Sequence, residues 1–163
     1  MATVGPLYLR DYELQRALTL LWLAELELAR TGLGPLQRAD LLFKDYLVLF
    51  FVAARPGTTV AELTQLLGAS KQALSRHVIK LRGMGLLAES APAADRRRRP
   101  LVVTEKGRSL LEEAVSLQKR LLRRGFRQAG PEAVGGFVTV LSELVPEKHR
   151  AFAQPPASVP ERP

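Results

Sequence analysis

Apolar residues recur three and four positions apart through most of this chain, a period that predicts helices. Residues 7–30 form the first predicted helix, with Leu14, Leu18, Leu21 and Leu28 at helical spacings. Leu20, Trp22, Leu23 and Leu26 widen its apolar face almost all round. Such a helix has to be enclosed by neighbours, a second subunit included. Thr31-Gly32-Leu33-Gly34-Pro35 is expected to end it, because glycine takes up a left-handed cap and proline cannot continue a helix. A second helix is expected over 36–54, ending at Arg55-Pro56-Gly57.

The next thirty residues carry denser signals. Thr59-Val60-Ala61-Glu62 fits a capping box, and Val60, Leu63, Leu66 and Leu67 form one stripe behind it. Gly68 allows a tight turn and Ser70 can cap a further helix, in which Leu74, Val78 and Leu81 face the core. Gly85 is placed to close it. Two short helices joined by a three-residue turn containing glycine form a helix-turn-helix. Two short segments, Leu86–Ser90 and Leu101–Val103, follow as strand candidates around the turn-forming Ala91-Pro92-Ala93-Ala94-Asp95 and four arginines. They read as a β-hairpin wing, with Pro100 at an edge or strand entry, since it has no N–H for a ladder.

Thr104 then caps a long helix to about Arg124. Its two stripes, Leu110, Ala114, Leu117, Leu121 and Leu111, Val115, Leu122, suit contact with its own domain and with a partner at once. Pro131 opens a last helix to about Phe152, and the proline-rich end, residues 153–163, reads as a disordered tail. The expected fold class is mainly α with a small β wing: a winged helix-turn-helix over 35–103, flanked by long dimerisation helices over 7–34 and 104–152.

Charge sharpens the picture because of where it sits. Residues 1–69 carry 6 basic and 7 acidic side chains, whereas residues 70–108 carry 10 basic and 3 acidic, so most of the net +8 lies in that window. A local basic surface fits a polyanion, although charge alone fits a basic face without function equally well. The absence of cysteine excludes a disulfide framework, a thiolate metal site and a thiol redox sensor. No apolar run reaches the roughly 20 residues that span a bilayer, and the N-terminus lacks a signal-peptide pattern, so a cytoplasmic protein without a membrane partner is expected. There is no phosphate loop, no paired histidines on a helix and no nucleophile elbow, which argues against an enzyme, and no cofactor is implied.

With Leu74, Val78 and Leu81 buried, the opposite face of that helix presents Lys71, Gln72, Ser75, Arg76 and Lys80. In a major groove Arg can bond guanine and Gln adenine bidentately. The hydroxyls of Ser70 and Ser75, with free backbone N–H groups, can hold phosphates. His77 adjoins this face as a phosphate contact or as an exposed or partly packed side chain. The local charge favours DNA over a solvated face of a protein-interaction module. Trp22, Phe43, Tyr46, Phe50 and Phe51 are expected in the core.

The helix-turn-helix "TVAELTQLLGASKQALSRHVIKLRGMGLL", the wing ending "DRRRRPLVVTEKG" and the long flanking helices resemble the MarR family of transcriptional regulators, and within it the PetP-type branch. Asp95 with Arg97, and Val103, Thr104 and Gly107, carry the resemblance most specifically. It implies a homodimeric repressor whose recognition helices enter the major groove of a pseudo-palindromic double-stranded DNA operator. Lys71, Gln72, Ser75 and Arg76 would then be groove contacts and Arg97 the minor-groove arginine, held by Asp95. Arg96, Arg98 and Arg99 would meet phosphate or solvent. Ile79 stands where such regulators often carry a polar residue, which implies a more buried face there. A small aromatic effector is also implied, in a crevice that Trp22, Phe43 and Tyr46 would line. Other readings of the same residues are an architectural DNA-binding protein without operator specificity and a winged-helix protein-interaction module.

Overall fold

Glycine and proline at 32–35 do not end the first helix. In the computed structural model, which describes residues 7–90 and 99–154, a 3-10 turn at Leu7–Leu9 leads into α1, Asp11–Arg38, with Pro35 inside it. Proline removes one backbone donor, but Pro35 and Leu36 are fully buried here and Gly32 lies against α5. A Cβ on Gly32 would stand 2.8 Å from Gln118 Nε2, which itself donates to Leu28 O at 2.9 Å. Close helix packing thus outweighs the local break signal. The chain turns later, where Asp40 adopts a left-handed φ of 54° and Leu41 N–H donates to Leu36 O. Aspartate is among the few side chains that accept this conformation. The second helix, α2, is correspondingly shorter than predicted, Phe43–Ala54.

Helices α3, Val60–Leu67, and α4, Lys71–Gly83, follow as predicted, and strands β1, Leu87–Glu89, and β2, Leu101–Val103, pair antiparallel with Leu87 facing Val103. Pro100 precedes β2 and offers only its carbonyl, which accepts from Ser90 N–H at 2.8 Å, so the pairing extends past it unharmed. Leu101 N–H donates to Thr58 O and Gly57 N–H to Leu101 O, tying the hairpin to the segment before α3. Then come α5, Glu105–Ala129, and α6, Pro131–Leu144. The last helix does not run on to Phe152: it stops before Val145-Pro146, and a short α7, Glu147–Arg150, brings Phe152 back edge-on to Phe51.

Leu49, Val52, Leu63, Leu74, Leu81 and Leu101 are completely or almost completely buried where α2, α3, α4 and β2 meet. The N-terminal half of α1 and the side of α6 are the opposite case. Leu14, Leu18, Leu20, Leu23, Phe137, Val138 and Val140 are all exposed, and so is Trp22 at 60%, against the expectation that it sits in the core. Of the other aromatic residues, Tyr46 is buried and Phe43, Phe50 and Phe51 are half-buried around it. The proline-rich end beyond residue 154 lies outside the described residues.

Candidate nucleic-acid interface

Helix α4 is stopped and started by its own sequence. Ser70 Oγ accepts from Ala73 N–H at 3.2 Å, and the preceding α3 is closed by Gly68 at φ 59°. The capping box at its start is formed as expected, with Thr59 N–H donating to the Glu62 carboxylate at 2.8 Å. At the far end Gly85, at φ 71°, donates to Arg82 O, and Leu86 N–H reaches back to Leu81 O. This pair of reversed bonds satisfies the last carbonyls, and buried Leu81 and Leu86 complete it.

The buried row Leu74, Val78, Leu81 steps by four and then three. The row two residues earlier, Gln72, Arg76, Ile79, repeats those steps and lies about 200° round the helix. All three of its side chains are exposed, as are Ser70 and Lys71, while Ser75 is half-buried at its edge. Ile79 is 68% exposed, so this face is open and not buried as its apolar character implied.

His77 and Lys80 turn the other way. His77 Nδ1 lies 2.7 Å from Asp45 Oδ1, and Lys80 Nζ lies 3.2 Å from Asp45 Oδ2 and 2.5 Å from Asp40 O. Asp45 has no solvent exposure and also accepts from Leu42 N–H at 2.9 Å. Burial pushes its carboxyl up, but the bonds from Leu42, His77 and Lys80, with the Lys80 charge, outweigh it and hold the carboxyl below its ordinary value. Two side chains expected at DNA therefore fasten α4 to α2 and to the α1–α2 corner.

At the base of the wing, Glu89 on β1 pairs with Arg82 at 2.6 Å and with Arg99 at 3.7 Å. Arg99 is otherwise exposed, and Asp95, Arg96, Arg97 and Arg98 lie outside the described residues. Thr104 Oγ1 accepts from Gly107 N–H at 3.1 Å and donates to Gly85 O at 2.7 Å. A Cβ on Gly107 would stand 2.2 Å from Leu86 O, so α5 meets the end of α4 backbone to backbone. That contact is the physical content of the Thr-x-x-Gly pattern.

Above the winged domain, α1, α2 and α5 enclose an apolar crevice of about 380 Å³, lined by Phe43, Tyr46, Phe50, Leu28 and Leu122 with Gln118, Lys119 and Glu25. Tyr46 Oη donates to Gln118 Oε1. Burial, only partly offset by that bond, pushes its phenol up to about 12, so it stays a neutral donor. Of the three side chains that the resemblance assigned to an effector crevice, Phe43 and Tyr46 line this one and Trp22 does not. Asp45, Glu89 and Gln118 were missed. Asp45 is the third residue of α2, a position visible only once the helix start is known. Lys119, Arg120, Arg123, Arg124 and Arg127, exposed along α5, form a second basic stretch outside the basic window at residues 70–108. Among the described residues no three His, Asp or Glu side chains gather as metal ligands, and no helix is long and apolar enough to cross a membrane.

A family model described as MarR family matches residues 39–98, the segment containing α2, α3, α4 and β1. The HTH-type transcriptional regulator PetP of Rhodobacter capsulatus is 31% identical over 148 residues, covering 91% of this chain and 89% of that protein. FabT of Streptococcus pneumoniae, solved in complex with DNA, superposes with a TM-score of 0.67 at 18% identity, covering 82% of this chain and 94% of that one. The Mycobacterium tuberculosis MarR family protein Rv2887, solved with salicylic acid, gives 0.56 at 23% identity, over 77% and 93% of the two chains.

Proposed function

Because the chain belongs to the MarR family and is a DNA-binding transcriptional regulator of that type, we propose that it is a homodimeric repressor of a pseudo-palindromic operator. Helix α4 enters the major groove and one wing arginine enters the adjacent minor groove. The observation that carries this is the outward row of α4. Gln72 and Arg76 stand free opposite the buried row, with Lys71 at the helix start, and no acidic side chain interrupts them. Arg76 and Gln72 supply base contacts, each worth about 1–3 kcal/mol of discrimination. Lys71, Ser70, Ser75 and the backbone N–H groups at the start of α4 supply phosphate contacts. Arg97, two positions after Asp95 in the sequence, is the minor-groove arginine, and Arg96 and Arg98 meet phosphate. Arg99 is partly neutralised by Glu89 and contributes less. His77 and Lys80 contribute through the set of the helix and not by contact.

The exposed apolar side of α1 and α6 supports the homodimer, since two such faces bury each other. The crevice supports an effector: it is apolar, closed by neutral Tyr46, and backs onto the helix that holds α4 through Asp45. A small aromatic molecule lodged there releases the operator. The assay is transcription in vitro from a promoter overlapping the bound site, with protein titrated in and salicylate and related aromatic acids then added. Falling transcription that the acids restore is expected. Transcription that rises with protein would make it an activator, and repression untouched by every acid would remove the effector from the account.

A further inference from the structure

The outward row of α4 holds one side chain that no ion pair, phosphate or backbone bond explains. Ile79 is 68% exposed and follows Gln72 and Arg76 at steps of four and three, so it continues their line along the helix. Every other residue of α4 with an exposed side chain beyond Ala73 and Gly83 is polar or charged. Beside Ile79 the surface dips toward β1, between Arg82, Gly83, Leu87, Ala88 and Glu89, without covering it. The Glu89 carboxylate there is bound by Arg82 at 2.6 Å, with Arg99 at 3.7 Å, so a polyanion is not repelled from this side.

In the major groove the apolar feature that tells one base from another is the 5-methyl group of thymine. We propose that Ile79 is a specificity-determining residue that reads this methyl group. Its position follows from helix geometry. Three residues advance about 4.5 Å along α4, and successive bases of one strand lie about 3.4 Å apart along the duplex. The thymine therefore falls one or two base pairs from the base contacted by Arg76, once in each half-site. This rests on the reading of α4 as the helix that enters the groove, and it adds a base to an operator that was otherwise unspecified.

The test begins with a site selected from random-sequence duplexes by the wild-type protein, in which the position read by Arg76 is located by repeating the selection with Arg76→Ala. Each thymine in the window is then replaced by deoxyuracil, which pairs identically but lacks the methyl group. One such replacement in each half-site is expected to weaken wild-type binding about fifteenfold, about fourfold for each of the two buried methyl groups removed. The same replacement should leave Ile79→Ala unaffected, because its side chain no longer reaches. Ile79→Asn should select adenine at that position in place of thymine. Ile79 is on the surface, so these variants keep the fold. Wild-type affinity indifferent to every deoxyuracil in the window, or Ile79→Ala retaining the same sensitivity, would overturn the proposal and leave the regulator standing. Failure to select any site would instead bring down the reading of α4 itself.

Discussion

A carboxylate without solvent exposure keeps its charge only if the protein replaces what water supplied, and Asp45 receives a backbone N–H, an imidazole and an ammonium. Its lowered ionisation carries a sign. Folding gains stability at pH values above the ordinary aspartate range of about 3.9, and that gain is lost as pH falls through the depressed folded value. Asp45→Asn should therefore cost about 1.5–3 kcal/mol near neutrality, a deficit that narrows as both proteins are taken toward pH 3. Urea unfolding at a series of pH values checks this; a deficit equal at every pH would show that the charge contributes nothing. Gly107 makes a different demand, for space. Gly107→Ala drives a methyl group into the Leu86 carbonyl and should cost about 1–3 kcal/mol, the usual range for overpacking; an unchanged melting temperature would mean that α5 shifts freely. The sequence made Gly107 visible as part of a pattern. It could not reveal Asp45, whose side-chain partners are 32 and 35 residues away in the chain.

Among the elements, α3 and α4 were legible because every local signal agreed: a capping box, a left-handed glycine between them, a serine cap and one buried row. Helix α1 was misread for the converse reason. Gly32, Gly34 and Pro35 carry break signals, and the packing of Pro35, Leu36 and Gly32 against the rest of the protein overrides them. The same limit affected the polar side of α4, where periodicity separated buried from free positions but not free lysines from tethered ones. The two kinds should behave differently on DNA. Arg76→Ala should relax base preference by about 1–3 kcal/mol. Lys80→Ala should leave the slope of log affinity against log salt unchanged, whereas loss of a true phosphate contact lowers it by about one. A lowered slope for Lys80→Ala would return that side chain to the DNA.

For the whole molecule, the sequence anticipated an apolar first helix in need of neighbours, and the structure leaves that need unmet within one chain. Leu14, Leu18 and Leu23 on α1 and Val138 and Val140 on α6 remain exposed. A homodimer that buries them should appear by sedimentation as two chains, and Trp22, the single tryptophan, should report it. Its emission is expected to move to shorter wavelength as concentration rises through the dissociation constant, and Leu18→Glu should hold the protein as a monomer with weak DNA affinity. Emission independent of concentration in a monomeric wild type would contradict the dimer. The claim on which the rest depends is that one face of α4, paired by two-fold symmetry, reads DNA sequence. Selection of bound duplexes from a random library, followed by footprinting of the best, tests it most directly. The expected result is an inverted repeat with half-sites about one helical turn, 10–10.5 base pairs, apart, and retention of all sequences alike, with no protected repeat, would contradict it.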